Sequence, residues 1–228
     1  MSHSRQLLLC AACANELSKV GDGSLSALKT GFVTTINNDI DVLISGVGTF
    51  QTAYHLTRAL MECEYKMVLT AGIAGDYDPD RPLYQIFSVE RSTFADCGFE
   101  TADGHYQPII GSKFLDDDTP QFQSGYIINS KADTLGLTLA TANTVSRTCT
   151  EPINVKKILC RHPADLETME SAAFSYICAM QHVPYAEIRC TSNHIVPKKE
   201  EPWMIKEAVE VLGKAVEEAV KTIRFSES

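Results

Sequence analysis

The chain of 228 residues has no long apolar run, no basic stripe and no second cysteine pair, and each absence removes a class of function. No stretch approaches the ~18 consecutive apolar residues that a membrane-spanning helix needs. The N-terminus also lacks the charged-then-apolar order of a secretory signal. L-L-L-C-A-A-C-A follows Arg5 closely, is short, and reads as a first buried strand. The expectation is a cytoplasmic protein with no membrane partner. Lys and Arg number 20 against 29 Asp and Glu, for a formal charge of −9. That balance argues against a phosphate-backbone partner, so no nucleic acid is expected.

Eight cysteines without a secretory signal point to reduced thiols rather than a disulfide framework. Cys10 and Cys13 form a C-x-x-C between a strand and a helical pattern, the setting of a redox pair. Two small apolar residues packed in a tight turn would give the same letters. Zinc needs a further pair of ligands at suitable spacing, and none occurs. The adjacent Asp116, Asp117 and Asp118 read as a solvated loop. Gly46 and Gly48 in S-G-V-G-T-F-Q lack the third glycine of the dinucleotide fingerprint, which argues against NAD. No metal and no cofactor are expected.

What is present fits one soluble globular domain over residues 1–228, with 44% hydrophobic and 21% charged residues. Strand-like runs fall at Gln6–Cys10, Phe32–Ile36, Asp41–Ile44, Lys66–Leu69, Ile86–Val89, Gly136–Ala140 and Tyr185–Cys190. Helical patterns fall at Asn15–Val20, Thr49–Glu62, Ser171–Gln181 and Lys206–Ile223. Strands alternating with helices imply an α/β fold of three layers, a mostly parallel mixed sheet covered by helices on both faces. The stretch from Asp76 to Gly111 is loop-rich, and Lys113 to Gln123 is acidic and irregular.

The most informative stretch runs from Glu167 to Asn193. It reads as a helix with an acidic pair near its start, in which Met169, Ala172, Ala173, Tyr176, Ile177 and Met180 make an apolar stripe. Glu170 lies about 100° from Met169 around that helix, at the rim of the stripe. A strand from Pro184 to Cys190 then delivers Thr191, Ser192 and Asn193 at its carboxyl end, where open α/β sheets bind ligands.

The pattern M-E-S-A-A followed by a strand with R-C-T-S-N resembles the nucleoside hydrolase and phosphorylase superfamily. It is most similar to the branch holding methylthioadenosine/S-adenosylhomocysteine nucleosidases and futalosine hydrolases. L-L-L-C-A-A-C-A-N-E-L resembles the family's first strand running into its catalytic glutamate, and L-I-S-G-V-G and A-G-I-A-G resemble its two glycine turns. S-V-E-R-S-T-F-A-D-C-G-F-E and S-N-H-I-V-P-K-K-E-E-P-W-M-I-K-E-A are similar to futalosine hydrolase segments. The resemblance implies a nucleoside phosphorylase-like fold, a homodimer, a small-molecule nucleoside substrate, no cofactor and a place in menaquinone biosynthesis.

Cleaving a purine N-glycosidic bond passes through a ribosyl cation-like transition state, by analogy with glycoside cleavage. A base must handle the water, something must bind the ribose hydroxyls, and a donor must neutralise the departing purine. For the water, the resemblance implies Glu16, at a buried strand end where a raised pKa suits it to act near neutral pH. Without the resemblance, Glu16 is the exposed first turn of a helix. Glu170 can accept both vicinal hydroxyls, with Met169 against the sugar face. Arg189 resembles the arginine near the water, or forms a surface salt bridge with Glu187.

Asn193 discriminates between bases. A 6-oxopurine presents two acceptors, N7 and O6, and an asparagine amide supplies two donors where a carboxylate would repel. Mismatched buried polar pairs cost several powers of ten in selectivity, so hypoxanthine or guanine is the expected leaving base. Capping a turn is the plainer role for an asparagine here.

Gly72 and Gly75 let the backbone approach the nucleoside or only make tight turns, and Ile73 stands where adenine-acting relatives often have serine. Trp203 falls where relatives wall the 5′ substituent, or it anchors the last helix. Phe94 with Asp96 lies in a loop expected to touch the base or tail, and Val145 aligns where relatives stack an aromatic on the purine. Arg91, Lys198 and Lys199 suit a carboxylate tail. The expected activity is hydrolysis of a 6-oxopurine nucleoside with a bulky 5′ tail. The alternatives are an adenine-specific nucleosidase, a non-catalytic nucleoside-binding relative, and a C-x-x-C redox protein.

Overall fold

Alternating side chains of the first strand send two sets of apolar residues to opposite faces of one sheet, and the fold is built on that division. The computed structural model describes residues 5–102, 105–110, 122–196, 199 and 202–225. Strands β1 (Arg5–Ala11), β2 (Val33–Thr35) and β3 (Ile40–Ile44) precede helix α1 (Thr49–Glu62) and the twelve-residue β4 (Tyr65–Asp76). Then come β5 (Ile86–Phe94), β6 (Gly98–Glu100), β7 (Tyr106–Pro108), β8 (Phe122–Gln123), β9 (Tyr126–Ile128) and β10 (Thr138–Thr144). The chain continues through α2 (Pro152–Arg161), β11 (Leu166–Thr168), α3 (Ser171–Met180), β12 (Tyr185–His194) and α4 (Ile205–Phe225).

Leu7, Leu9 and Ala11 of β1 join Leu212, Val216 and Ile223 of α4 in one buried cluster. Leu8 and Cys10 join Leu56 and Ala59 of α1 and Phe174 and Cys178 of α3 in another. The period of two along β1 meets the four-and-three spacing along α4, which is why this strand is apolar throughout rather than alternating with polar residues.

The main sheet runs β2-β3-β1-β4-β11-β10-β5-β9-β8, and β12 pairs with both β4 and β5. That double pairing closes β4, β11, β10, β5 and β12 into a ring. Closure changes the balance expected from sequence. β1–β3, β1–β4, β10–β11, β10–β5 and β12–β4 are parallel, while β11–β4, β12–β5, β2–β3, β5–β9 and β8–β9 are antiparallel. The sheet is thus evenly mixed rather than mostly parallel. Leu166, Ala74, Ala142, Phe87 and Val89 form a small buried cluster drawn from four strands of this ring.

Several elements differ from the sequence reading for local reasons. Asn15–Val20 is not a helix but a short 3₁₀ turn, Ala14–Leu17, closed when the Glu16 side chain accepts from the Cys13 backbone. The acidic pair does not share a helix start: Glu167 lies on β11, and Glu170 is the N-cap of α3. The strand expected at Gly136–Ala140 is Thr138–Thr144, because Gly136 takes a left-handed turn at φ 63°. The loop-rich stretch holds a two-stranded ladder, β6 with β7. Asp116, Asp117, Asp118 and Lys198 lie outside the described residues.

Candidate active site

Four backbone segments end at one cavity of about 220 Å³: the turn after β1, the C-terminal part of β4, the β11–α3 junction and the end of β12. Its lining includes Glu16, Ile73, Gly75, Glu167, Met169, Glu170, Ser192, Asn193 and Trp203. Parallel β1, β4 and β12 finish at the same edge of the sheet, so loops that are remote in sequence meet there.

Glu16 is buried and doubly held: the Cys13 amide donates to Oε2 at 3.0 Å and the Ile73 amide donates to Oε1 at 3.0 Å. Burial pushes its carboxyl pKa up, Arg189 opposes this, and the nearby charge of Glu170 adds to it. Gly72 lies directly behind. A Cβ there would sit 2.7 Å from Glu16 Oε1 and closer still to Arg189 Nη1, so the approach of these groups to β4 requires glycine. Gly72 is a floor under the charged groups and does not line the cavity.

Arg189 is almost fully buried. Its Nε donates to Glu187 Oε1 at 2.7 Å, and its Nη1 lies 3.5 Å from Glu170 Oε2. The pair with Glu187 is therefore internal and not on the surface. Burial by itself would lower the guanidinium pKa, but Glu187, Glu170 and Glu16 together raise it, which keeps the charge in place. The Ser171 hydroxyl donates to the same Glu187 oxygen. Glu170 Oε1 accepts from the Gly48 amide at 2.9 Å, which ties the start of α1 to the start of α3. Gly48 at φ 91° turns that amide inward.

Asn193 is oriented by its neighbour. The Ser192 hydroxyl donates to Asn193 Oδ1 at 3.0 Å, so the amide nitrogen is the group turned away from Ser192. One amide hydrogen makes a long bond, 3.4 Å, to the His194 carbonyl, and the other has no partner among the described residues. Two donors were expected from sequence, and this arrangement offers one free hydrogen. Met169 is half-buried on the lining, and Trp203 is 52% exposed at its edge.

Five further residues expected at the site do not line the cavity. Val145 is buried behind it, its amide donating to the Thr168 carbonyl at 2.9 Å, and Thr148 lines the wall instead. Phe94 packs against Ile110, Phe122 and Ile127, while Asp96 accepts from the Ser146 amide. Arg91 donates to the Thr141 hydroxyl and lies over the Tyr126 ring, and Lys199 is exposed. Cys10 is a free thiol in the core, where burial pushes its pKa far up, and Cys13 is a free thiol at the cavity wall.

Glu167 was named in sequence only as half of an acidic pair. It lies on β11, lines the cavity, and has only 3% of its surface exposed. The Tyr77 hydroxyl donates to its Oε2 at 2.7 Å, while the buried Oε1 has no hydrogen-bond partner among the described residues. Burial pushes its pKa up to about 7, with the Tyr77 bond opposing and Asp96 adding. The alternation L-E-T was the available signal, too short to separate from a helix start.

Residues 19–224 match the phosphorylase superfamily. A futalosine hydrolase of Streptomyces coelicolor is 31% identical over 185 residues, 77% of this chain and 76% of its own length. Two solved Helicobacter pylori structures share the fold at 14% identity and a TM-score of 0.75. A 5′-methylthioadenosine/S-adenosylhomocysteine nucleosidase covers 95% of this chain and 98% of its own. A futalosine hydrolase covers 95% and 97%. The fold alone does not separate the two activities.

Proposed function

The chain belongs to the phosphorylase superfamily and, within it, to the futalosine hydrolase family, and on that premise we propose that it cleaves the N-glycosidic bond of futalosine with water, releasing hypoxanthine. The observation that carries this reading is the meeting of Glu16, Glu170 and Asn193, from three distant segments, on one cavity.

Glu16 in its ionised form takes the proton of a water attacking the anomeric carbon. Its two backbone donors fix the carboxylate and its burial raises its basicity. Glu170 accepts the ribose hydroxyls with the lone pairs that Gly48 and Arg189 leave free. Three carboxylates around a single guanidinium make the site net negative when ionised, which favours the developing ribosyl cation. Asn193 donates its free amide hydrogen to the N7 and O6 edge as charge grows on the departing base.

The same reading takes the protein to be a cytoplasmic enzyme of menaquinone biosynthesis and to work as a homodimer. Val47 lines the cavity, and Phe50 and Tyr54 on the same side of α1 are 75% and 64% exposed, an apolar patch that a second copy would cover. It also takes the fold as three layers, which the clusters on opposite sides of β1 support. The test is incubation with futalosine without phosphate. Free hypoxanthine together with a sugar product bearing an anomeric hydroxyl is the expected result, and a requirement for phosphate would overturn it.

A further inference from the structure

We infer that Glu167 is a second base-reading residue: its Oε1, without a partner among the described residues and on the same face as Asn193 across Gly75, accepts the N1–H of the 6-oxopurine. The inference rests on the futalosine reading of this site and deepens it.

The placement comes from strand register. Gly75 of β4 pairs with Glu167 on one side and with Asn193 on the other. Paired residues in a ladder point to the same face, so Glu167 and Asn193 flank a position that has no side chain. Two strand spacings separate their backbones by roughly 10 Å, a width that two side chains and the edge of a purine fill. A Cβ on Gly75 would collide with Ile195 Cδ1 and reach Asn193 Nδ2 at 3.4 Å, so glycine here makes room for the Ile195 side chain beside Asn193 on the cavity wall.

The two groups complement one particular edge. Reading from N7, a 6-oxopurine presents acceptor, acceptor and donor: N7, O6 and N1–H. Adenine presents acceptor, donor and acceptor: N7, the 6-amino group and N1. Asn193 turns a donor to the first two positions of the 6-oxopurine. Glu167 brings an acceptor beside it, with Oε2 fixed by Tyr77 and Oε1 left over. Against adenine an ionised Glu167 meets a lone pair. A buried oxygen with no partner among the described residues, on a side chain that lines the cavity, is open to a donor from a ligand.

The titratable groups bearing on Glu167 are Tyr77, which continues β4, and Asp96, which follows β5; β10 contributes the neutral Asn143 by register. Tyr77 stays a neutral donor because burial pushes its phenol far up. Protonation of Glu167 turns its acceptor into a donor that suits adenine N1. Preference for the 6-oxo base should therefore rise with pH through about 7.

The test is calorimetric binding of free hypoxanthine and free adenine to the intact protein, on both sides of that pH. Wild type should favour hypoxanthine, and more so at the higher pH. Glu167→Gln, whose amide can present either atom to N1, should lose about tenfold of that preference and all of its pH dependence. Tyr77→Phe should keep the preference and move its midpoint to higher pH, because the lost hydrogen bond stabilised the carboxylate. An unchanged ratio in Glu167→Gln, a midpoint that Tyr77→Phe leaves in place, or binding of neither base overturns the inference. Base binding needs no bond cleavage, so a protein that reads the base yet leaves futalosine intact fails the proposed activity and not this inference.

Discussion

The hydroxyl of Ser192 donates to the amide oxygen of Asn193 at 3.0 Å, and this one bond decides which end of the amide faces the cavity. With the oxygen occupied, the nitrogen is the end that a purine in the cavity would meet, and a donor there suits N7 and O6. Ser192→Ala frees the amide to turn over. The ratio of kcat/KM for futalosine to that for its 6-amino counterpart should fall by roughly three- to tenfold. Asn193→Asp should move preference further toward the 6-amino substrate, read by the same ratio.

Glu16→Gln should lower kcat by about 10²-fold or more while substrate binding persists, because the amide keeps the shape and loses the base. The wild-type profile carries the sign. In the proposed mechanism Glu16 acts ionised, and burial is the chief cause of its raised pKa. The acid limb of kcat/KM against pH should therefore lie above the ordinary glutamate range, with activity lost as pH falls through it. A limb at the ordinary value would remove Glu16 from the role.

Glu167 makes stability depend on pH in the opposite sense to an ordinary surface carboxylate. Its pKa in the fold is about 7 against an ordinary 4.5, so the folded state prefers the neutral form. That contribution is complete below the unfolded value and is lost as pH rises to about 7. Beyond it the ionised group costs on the order of 3 kcal/mol. Thermal unfolding of wild type should show this decline between the two values, and Glu167→Gln should show a smaller one, because Glu16 also has a raised pKa.

Glu187→Ala leaves Arg189 buried without its nearest partner. Removing one member of a buried ion pair costs about 3–5 kcal/mol, which denaturant unfolding measures. Glu187→Gln keeps an acceptor for the guanidinium and should cost less.

The sequence carries some of these features openly and hides others, for physical reasons. Thr49–Glu62 reads as a helix at its true bounds because Gly48 precedes it and its apolar spacing is regular. Helix α2 was missed, although Pro152 at its first turn is a helix-start signal, because Lys156 and Lys157 interrupt a weak apolar face. Glu16, Glu170, Arg189 and Asn193 were legible through motifs that occupy short contiguous segments. Glu167 was not, since its place on the cavity depends on β11 lying beside β4, a pairing between residues far apart in the chain. Val145, expected at the purine, and Phe94, expected at the base or tail, do not line the cavity: Val145 is buried behind it and Phe94 packs half-buried against Ile110, Phe122 and Ile127.

The most direct test is chromatographic detection of free base after incubating the purified protein with futalosine, inosine and methylthioadenosine in phosphate-free buffer. Hypoxanthine released from futalosine, with far slower release from the other two, is the expected result. Adenine released from methylthioadenosine at a comparable rate, or no base from futalosine, would contradict it.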